Sequence, residues 1–578
     1  MGKDKYGSLF EGILNKTPDV ADKLKHMANR NSEMPSKEDV AKEETLEETD
    51  KQKKPQTKKT NNPMANVVVE KKRISQRVRT KPSKPKSASK PPKQKKSKKV
   101  PGSIGTGLHK ATPSSPNRFF DGIPENAHQF GLNDGTQVLD IVIGLDFGTS
   151  STKVVVHAPN YTGNPAYAIP FGKYAHASLK YLLPTKLAVD KNGVCHFSPK
   201  EGSATITNIK TALMTEDLSS LEIMGDTPPS TTPMEATTAY LALILRYVRG
   251  WFLANKRSIF QDFHINWSVN LGLPAAIDDD PTLREKFDFA GKAAWLLSRK
   301  SGCVTLKDAK SSLEDLEQLK EDEFPCDFSL IPEVIAEVTG YARSEFRNEG
   351  LHFLVDVGAS TLDVCAFELR NNEGDDHYKI YTADVEPLGS HMLHQARING
   401  AKNAFRQFSK DILDAQDPLS IIPNDLTTYV PSKEIVVKSI KEENVKFAKN
   451  SRIAVHKTIW HTYKKRYPNS PRWSETLPVF VCGGARAIGL YEDVLQGVNG
   501  WLNDFISTCK GVRIIPLPKP KSLEAEVNDT DYHRLAVAWG LSHENFNIGT
   551  YDRPSEIDDV AAPRKLDISD RFIGPEMT

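Results

Sequence analysis

Two stretches of the 578-residue chain repeat one device. Asp146-Phe147-Gly148-Thr149-Ser150-Ser151-Thr152-Lys153 follows the apolar run Ile141-Val142-Ile143-Gly144-Leu145. Asp356-Val357-Gly358-Ala359-Ser360-Thr361-Leu362-Asp363 follows Leu351-His352-Phe353-Leu354-Val355. Each sets an acid, any residue and Gly on a turn, adds small hydroxyl residues, and runs into another alternating strand. A turn built this way directs backbone N–H groups and hydroxyls at a phosphate, while its Asp faces the accompanying cation. Used twice, it predicts two similar lobes closing on one ligand.

The chain is too long for one hydrophobic core, so two or more domains are expected. It holds no run of about eighteen apolar residues, which excludes a membrane-spanning helix on sequence grounds. The six cysteines show no C-x-x-C pair, which argues against a zinc site or a disulfide framework and for a reducing cytoplasm. Charge is distributed unevenly. Residues 51–100 carry 19 Lys or Arg and one acid, Glu70, and the remainder is net negative. A segment of that composition cannot bury enough apolar surface to fold alone and reads as a disordered polycationic arm. It is suited to bind nucleic acid, an anionic surface or an acidic protein without sequence specificity, or to act as a nuclear address in a eukaryote. Near the start, Tyr6, Leu9, Phe10, Ile13 and Leu14 can line one face of a short helix.

The expected organisation is a disordered region at 1–135, one lobe at 136–352, a second at 353–547 with a helical insertion near 390–460, and a flexible tail at 548–578. Strands are expected at 138–146, 153–158, 167–170, 182–189 and 264–273, at 351–369 and 378–385, and last at 479–482. Helices are expected at 234–255, at 281–298 after an Asp280 cap with Pro281 in the first turn, from Pro332-Glu333 through Tyr341, and at Ala536–Leu541. Alternation of this kind favours α/β lobes.

The ordered set of hairpin, Pro-Glu helix, second hairpin, strand ending Gly483-Gly484 and small-residue helix resembles the actin, sugar-kinase and DnaK-type chaperone superfamily over about residues 140–545. The resemblance implies a two-lobed actin-like ATPase fold of duplicated ribonuclease-H-like domains, with ATP and Mg²⁺ as ligands. It implies that Asp146 and Asp356 hold Mg²⁺ largely through water, and that Gly148, Thr149, Ser150, Gly358 and Ser360 line the phosphates. Asn208-Ile209-Lys210 is similar to the chaperone segment whose Lys orients the attacking water. Ile331-Pro332-Glu333 is similar to the segment bearing a carboxylate behind the metal. Thr361 and Asp363 complete the second phosphate loop, followed by Gly389. Glu443 and Lys446 fall at the spacing of the adenosine-contacting pair, with Gly483, Gly484 and Arg486 forming the adenosine loop. Phe447 stands where the chaperones place an Arg, and Lys153 matches the phosphate-contacting Lys of actin and plasmid-segregating relatives.

After residue 545 too little chain follows for a peptide-binding domain. The resulting expectation is a stand-alone DnaK-like ATPase switch acting through a protein partner, in the cytoplasm or nucleus. Two alternatives are an actin-like filament former and, because Gly144–Ser150 also resembles the opening of carbohydrate kinases, a small-molecule kinase.

Overall fold

A computed structural model of the chain describes Phe120 and residues 137–560, apart from 216–219, 226–228, 405–416, 421, 430–437 and 485–487. The amphipathic start, the basic arm, Arg486 and the tail beyond 560 lie outside the described residues.

Both Asp-x-Gly stretches are hairpin turns. β1 (Gln137–Phe147) and β2 (Ser151–His157) are antiparallel, and β3 (Ala166–Ala168) continues the meander beside β2. The strand expected at 182–189 breaks at Thr185-Lys186. Its first part, β4 (Leu183–Pro184), pairs with β2. Its second, β5 (Leu187–Val189), joins β6 (Cys195–His196), β7 (Ala204–Thr207) and β8 (Glu222–Met224) in a small separate sheet. β9 (Phe263–Leu273) runs parallel to β1, and β10 (Asp327–Pro332) runs parallel to β9.

The second hairpin repeats the scheme. β11 (Gly350–Val357), β12 (Leu362–Asn372) and β13 (Asp375–Glu386) form an antiparallel meander. β14 (Leu477–Cys482) is parallel to β11 and β15 (Val512–Ile515) is parallel to β14. Two late strands close the edges: β16 (Leu523–Glu524) is parallel to β3, and β17 (Thr550–Asp552) is parallel to β13. The orders β10-β9-β1-β2-β3-β16 and β15-β14-β11-β12-β13-β17 therefore match strand for strand, with the same sense at every corresponding pair.

Three corrections to the linear reading follow. Residues 479–482 are not the last strand, since β15, β16 and β17 come after them. The second lobe does not run unbroken to 547, because β16 returns the chain to the first sheet. The tail expected from 548 begins as a strand hydrogen-bonded to β13.

Each large sheet has its own apolar core. The first is filled from the helices Pro233–Asn255 and Pro281–Arg299, the latter started as expected by the Asp280 carboxylate accepting from Thr282 N at 2.9 Å and Leu283 N at 3.1 Å. The second takes its packing from the helices Lys438–His461 and Gly489–Phe505. A third core joins the other faces of both sheets, and the helices Glu333–Ala342 and Ala536–Leu541 supply its centre. These two helices cross where neither has bulk: a Cβ on Gly540 would strike the Ala336 carbonyl oxygen, and one on Gly144 of β1 would strike that of Ala538. No helix among the described residues is long and apolar enough to cross a membrane.

His352 on β11 sits fully buried beside the rings of Phe367 and Phe480, which also touch each other, and lies 2.7 Å from the Gly350 carbonyl oxygen. Burial holds its pKa down at about 4. An unfolded His takes a proton near pH 6.5, so this site contributes stability that is complete above that pH and lost as pH falls toward about 4. His352→Phe is expected to gain on the parent by about 1.4 kcal/mol per pH unit between pH ~6 and ~4.5 in urea unfolding. A difference independent of pH would refute it.

Candidate functional site

In an open parallel sheet, ligands sit beyond the carboxyl ends of the strands. Here β1, β9, β10, β11 and β14 all end at one cleft of about 350 Å³. The first hairpin brings Asp146, Gly148, Thr149, Ser150 and Lys153 to its wall, and the second brings Asp356, Gly358, Thr361 and Asp363. β10 delivers Glu333 through Pro332, and β14 delivers Gly483 and Gly484. Lys210 arrives at the first turn of the helix Ile209–Thr215. These thirteen expected residues, more than 300 positions apart at the extremes, meet in one place.

The turns are rigidly made. Gly148 N donates to Ser151 O at 3.2 Å, and Gly358 N donates to Thr361 O at 3.0 Å. Ser360 and Gly389 do not line the cleft. Gly389 N donates to Ser360 O at 3.1 Å and His391 N to Ala359 O at 2.7 Å, so both residues brace the second turn from behind. Gly483 holds φ at +85°, and a Cβ there would strike Asp356 Oδ1 and Val357 O. Only glycine lets the backbone come this close to the acid.

Strand register sets the charge pattern. Asp146 faces Lys153 across the first hairpin, and their side chains meet at 2.9 Å. Asp356 faces Asp363 across the second, placing two acids side by side. Lys210, 3% exposed, reaches Glu333 Oε1 at 3.1 Å. Glu337 follows Glu333 by one helical turn and so shares its face toward the cleft. Five carboxylates thus surround two lysines, each already engaged by one acid.

The uncompensated charge shows in the protonation equilibria. Burial, reinforced by the charge of Glu333, pushes Asp356 up to about 7. Burial and the neighbouring Asp356 drive both Asp363 and Glu337 well above the carboxylate range. Burial also raises Glu333, against the pull of Lys210. Oδ1 of Asp356 and Oδ1 of Asp363 are sealed from solvent and have no hydrogen-bond partner. The excess of carboxylates over lysines along the cleft, rather than these covered oxygens, is what a cation would balance. Among the described residues no three His, Cys, Asp or Glu side chains converge closely enough to ligate an ion directly. A hydrated ion, held through its own water shell, is what this donor set suits.

Glu443 and Lys446 are not at the cleft. They pair with each other at 2.8 Å on an outward stretch of the helix Lys438–His461, Lys446 being largely exposed. Phe447 is turned into the second core and cannot face a ligand. The cleft wall on that side comes instead from Leu419, Ile422 and Ile488, and from Asp531, His533 and Arg534 ahead of the helix Ala536–Leu541. Glu337 was legible as the i+4 companion of Glu333. Arg534 carried no local signal, since its neighbours in sequence do not form a motif. Neither a protein-family model nor a curated protein matches this chain.

Proposed function

We propose that the chain is a Mg²⁺-ATP-binding, ATP-hydrolysing switch of the actin, sugar-kinase and DnaK-type superfamily, nearest to a stand-alone DnaK-like nucleotide-binding domain working through a protein partner. The observation that carries this reading is the convergence of both Asp-x-Gly turns, two lysines and the Gly483-Gly484 turn on one cleft. Its volume lies within the range usual for small-molecule ligands. The matching strand orders support the two-lobed, duplicated fold of that superfamily.

The residues divide the work by chemistry. Turn N–H groups with Thr149, Ser150 and Thr361 are placed to donate to phosphate oxygens. Lys153 and Lys210 lie on the first-sheet side, where a phosphate group would draw them from Asp146 and Glu333. Asp146, Asp356 and Asp363 would orient the water shell of Mg²⁺, with Glu333 behind them. Bound Mg²⁺ would neutralise charge developing on the transferred phosphoryl group. Lys210 is positioned to orient an attacking water, with Glu333 fixing its amine.

Calorimetric titration of the full chain with ATP tests the reading. Binding is expected with Mg²⁺ and to weaken at least tenfold with a chelator. Lys210→Ala is expected to slow hydrolysis about 100-fold with less effect on binding, as for a group acting on the water. No binding of ATP under either condition would overturn the assignment.

A further inference from the structure

A side-chain contact crosses the rim of the cleft. His176 lies in the loop between β3 and β4 of the first sheet, and its backbone N–H donates to the carbonyl oxygen of Leu182, a cleft-lining residue, at 2.8 Å. Asp417 lies between β13 and the helix Lys438–His461, which packs on the second sheet, and it directly precedes Pro418, Leu419 and Ser420 of the cleft wall. Neither residue lines the cleft itself, yet His176 Nε2 and Asp417 Oδ2 meet at 3.0 Å. Each end is held by its own segment. His176 Nδ1 accepts from Ser178 N at 3.2 Å, which leaves the ring hydrogen on Nε2, aimed at the carboxylate. Asp417 Oδ1 accepts from Leu419 N at 3.0 Å, which turns Oδ2 toward the histidine. The first-sheet half is also braced by the chain upstream of β1. Phe120 is buried with its ring stacked on Phe197 at 5.4 Å and edge-on to Tyr247 and Tyr174, and Tyr174 is two residues from His176.

We infer that His176 and Asp417 form a latch across the rim, which opens for a ligand to enter or leave, and that Phe120 holds its first-sheet half in place. The effect on nucleotide passage rests on the nucleotide reading of the cleft, whereas the bond across the rim does not. A bond that joins the two sides in the empty protein, and breaks only for passage, raises the barrier in both directions alike. It therefore slows binding and release together and leaves affinity unchanged.

Stopped-flow kinetics of a fluorescent ADP with Mg²⁺, on the full chain, test the latch. Asp417→Asn keeps the acceptor for Leu419 N but presents a donor to His176 Nε2. This variant and His176→Ala are each expected to speed association and release by about fivefold, as fits a partly exposed hydrogen bond to a charge, with affinity kept within about twofold. The double variant should be no faster than either single one, and His176→Gln, whose amide N–H can reach the same oxygen, should stay near the parent. Phe120→Ala is expected to speed both steps and to add nothing to Asp417→Asn; additive effects would remove Phe120 from the latch. Faster release with unchanged association would overturn the inference in favour of a contact with bound ligand. Unchanged rates in both single variants would overturn it outright. Hydrogen exchange in the ligand-free chain needs no nucleotide. Asp417→Asn should speed exchange of the Leu179 and Leu182 amides across the rim, both hydrogen-bonded within the His176 loop, and unchanged exchange there would also overturn the latch. If the parent binds no nucleotide while this exchange responds, the nucleotide reading fails and the latch stands.

Discussion

Replacing Asp356 with Asn is expected to lower affinity for Mg²⁺-ATP by about 100-fold while making the empty protein more stable at neutral pH. The loss follows from position. Asp356 ends β11 at the floor of the cleft, faces Asp363 across the hairpin, and leaves Oδ1 unpartnered. A carboxylate that orients a metal's water shell carries about 10–100-fold in affinity or activity. The gain in stability follows from its protonation. Held up at about 7, the folded carboxylate contributes stability that is complete below the unfolded pKa near 3.9 and lost as pH rises through about 7. An amide does not ionise, so Asp356→Asn should gain on the parent over that interval, with the difference level above it. Thermal unfolding from pH 5 to 8 without nucleotide, next to Mg²⁺-ATP titrations, measures both effects. The His352 contribution runs in the opposite direction below pH 6.5, so each is read as variant against parent. Undiminished Mg²⁺-ATP affinity in this variant would remove Asp356 from the site.

Gly540→Ala is expected to cost about 3 kcal/mol, at the upper end for overpacking because the new methyl meets backbone rather than a movable side chain. The obstacle is the carbonyl oxygen of Ala336, in the middle of the helix Glu333–Ala342. Pushing that helix away displaces Glu333 and Glu337, one on either side of the contact, so ligand affinity should fall together with stability. Gly500→Ala provides the control. That glycine lies on the exposed side of the helix Gly489–Phe505 with nothing near its missing Cβ, and alanine there should stabilise by about 0.5–1 kcal/mol. Urea midpoints for the two variants, at matched slopes, decide the matter. Equal midpoints would show that the helices have room to separate.

The parts of the site that were legible were those whose chemistry is contiguous. An Asp-x-Gly turn states its own geometry, because the turn, the donors and the acid occupy eight residues. Register then follows, and it places Lys153 opposite Asp146 and Asp363 opposite Asp356. Spacing on a helix is less informative. Glu443 and Lys446, three residues apart on one helix, pair with each other, yet spacing alone does not say where their face points. A better guide was available in the buried series Ile440, Phe447 and Ala454 of the same helix, whose seven-residue steps turn Phe447 inward. Short β10 and β15 escaped because four to six residues give too little alternation to read.

By itself, the sequence determined the two hairpins, the acid on each, the capped helices and the small residues at Gly540, because each rests on interactions within a few residues. Only the tertiary structure decided that the chain returns through β16 to the first sheet and through β17 to the second, that Glu337 joins the acidic floor, and that Arg534 rather than the Lys438–His461 helix lines the cleft. Those outcomes depend on packing between segments remote in sequence, where the burial of apolar faces from both sheets, not local preference, selects which side chains come to the cleft.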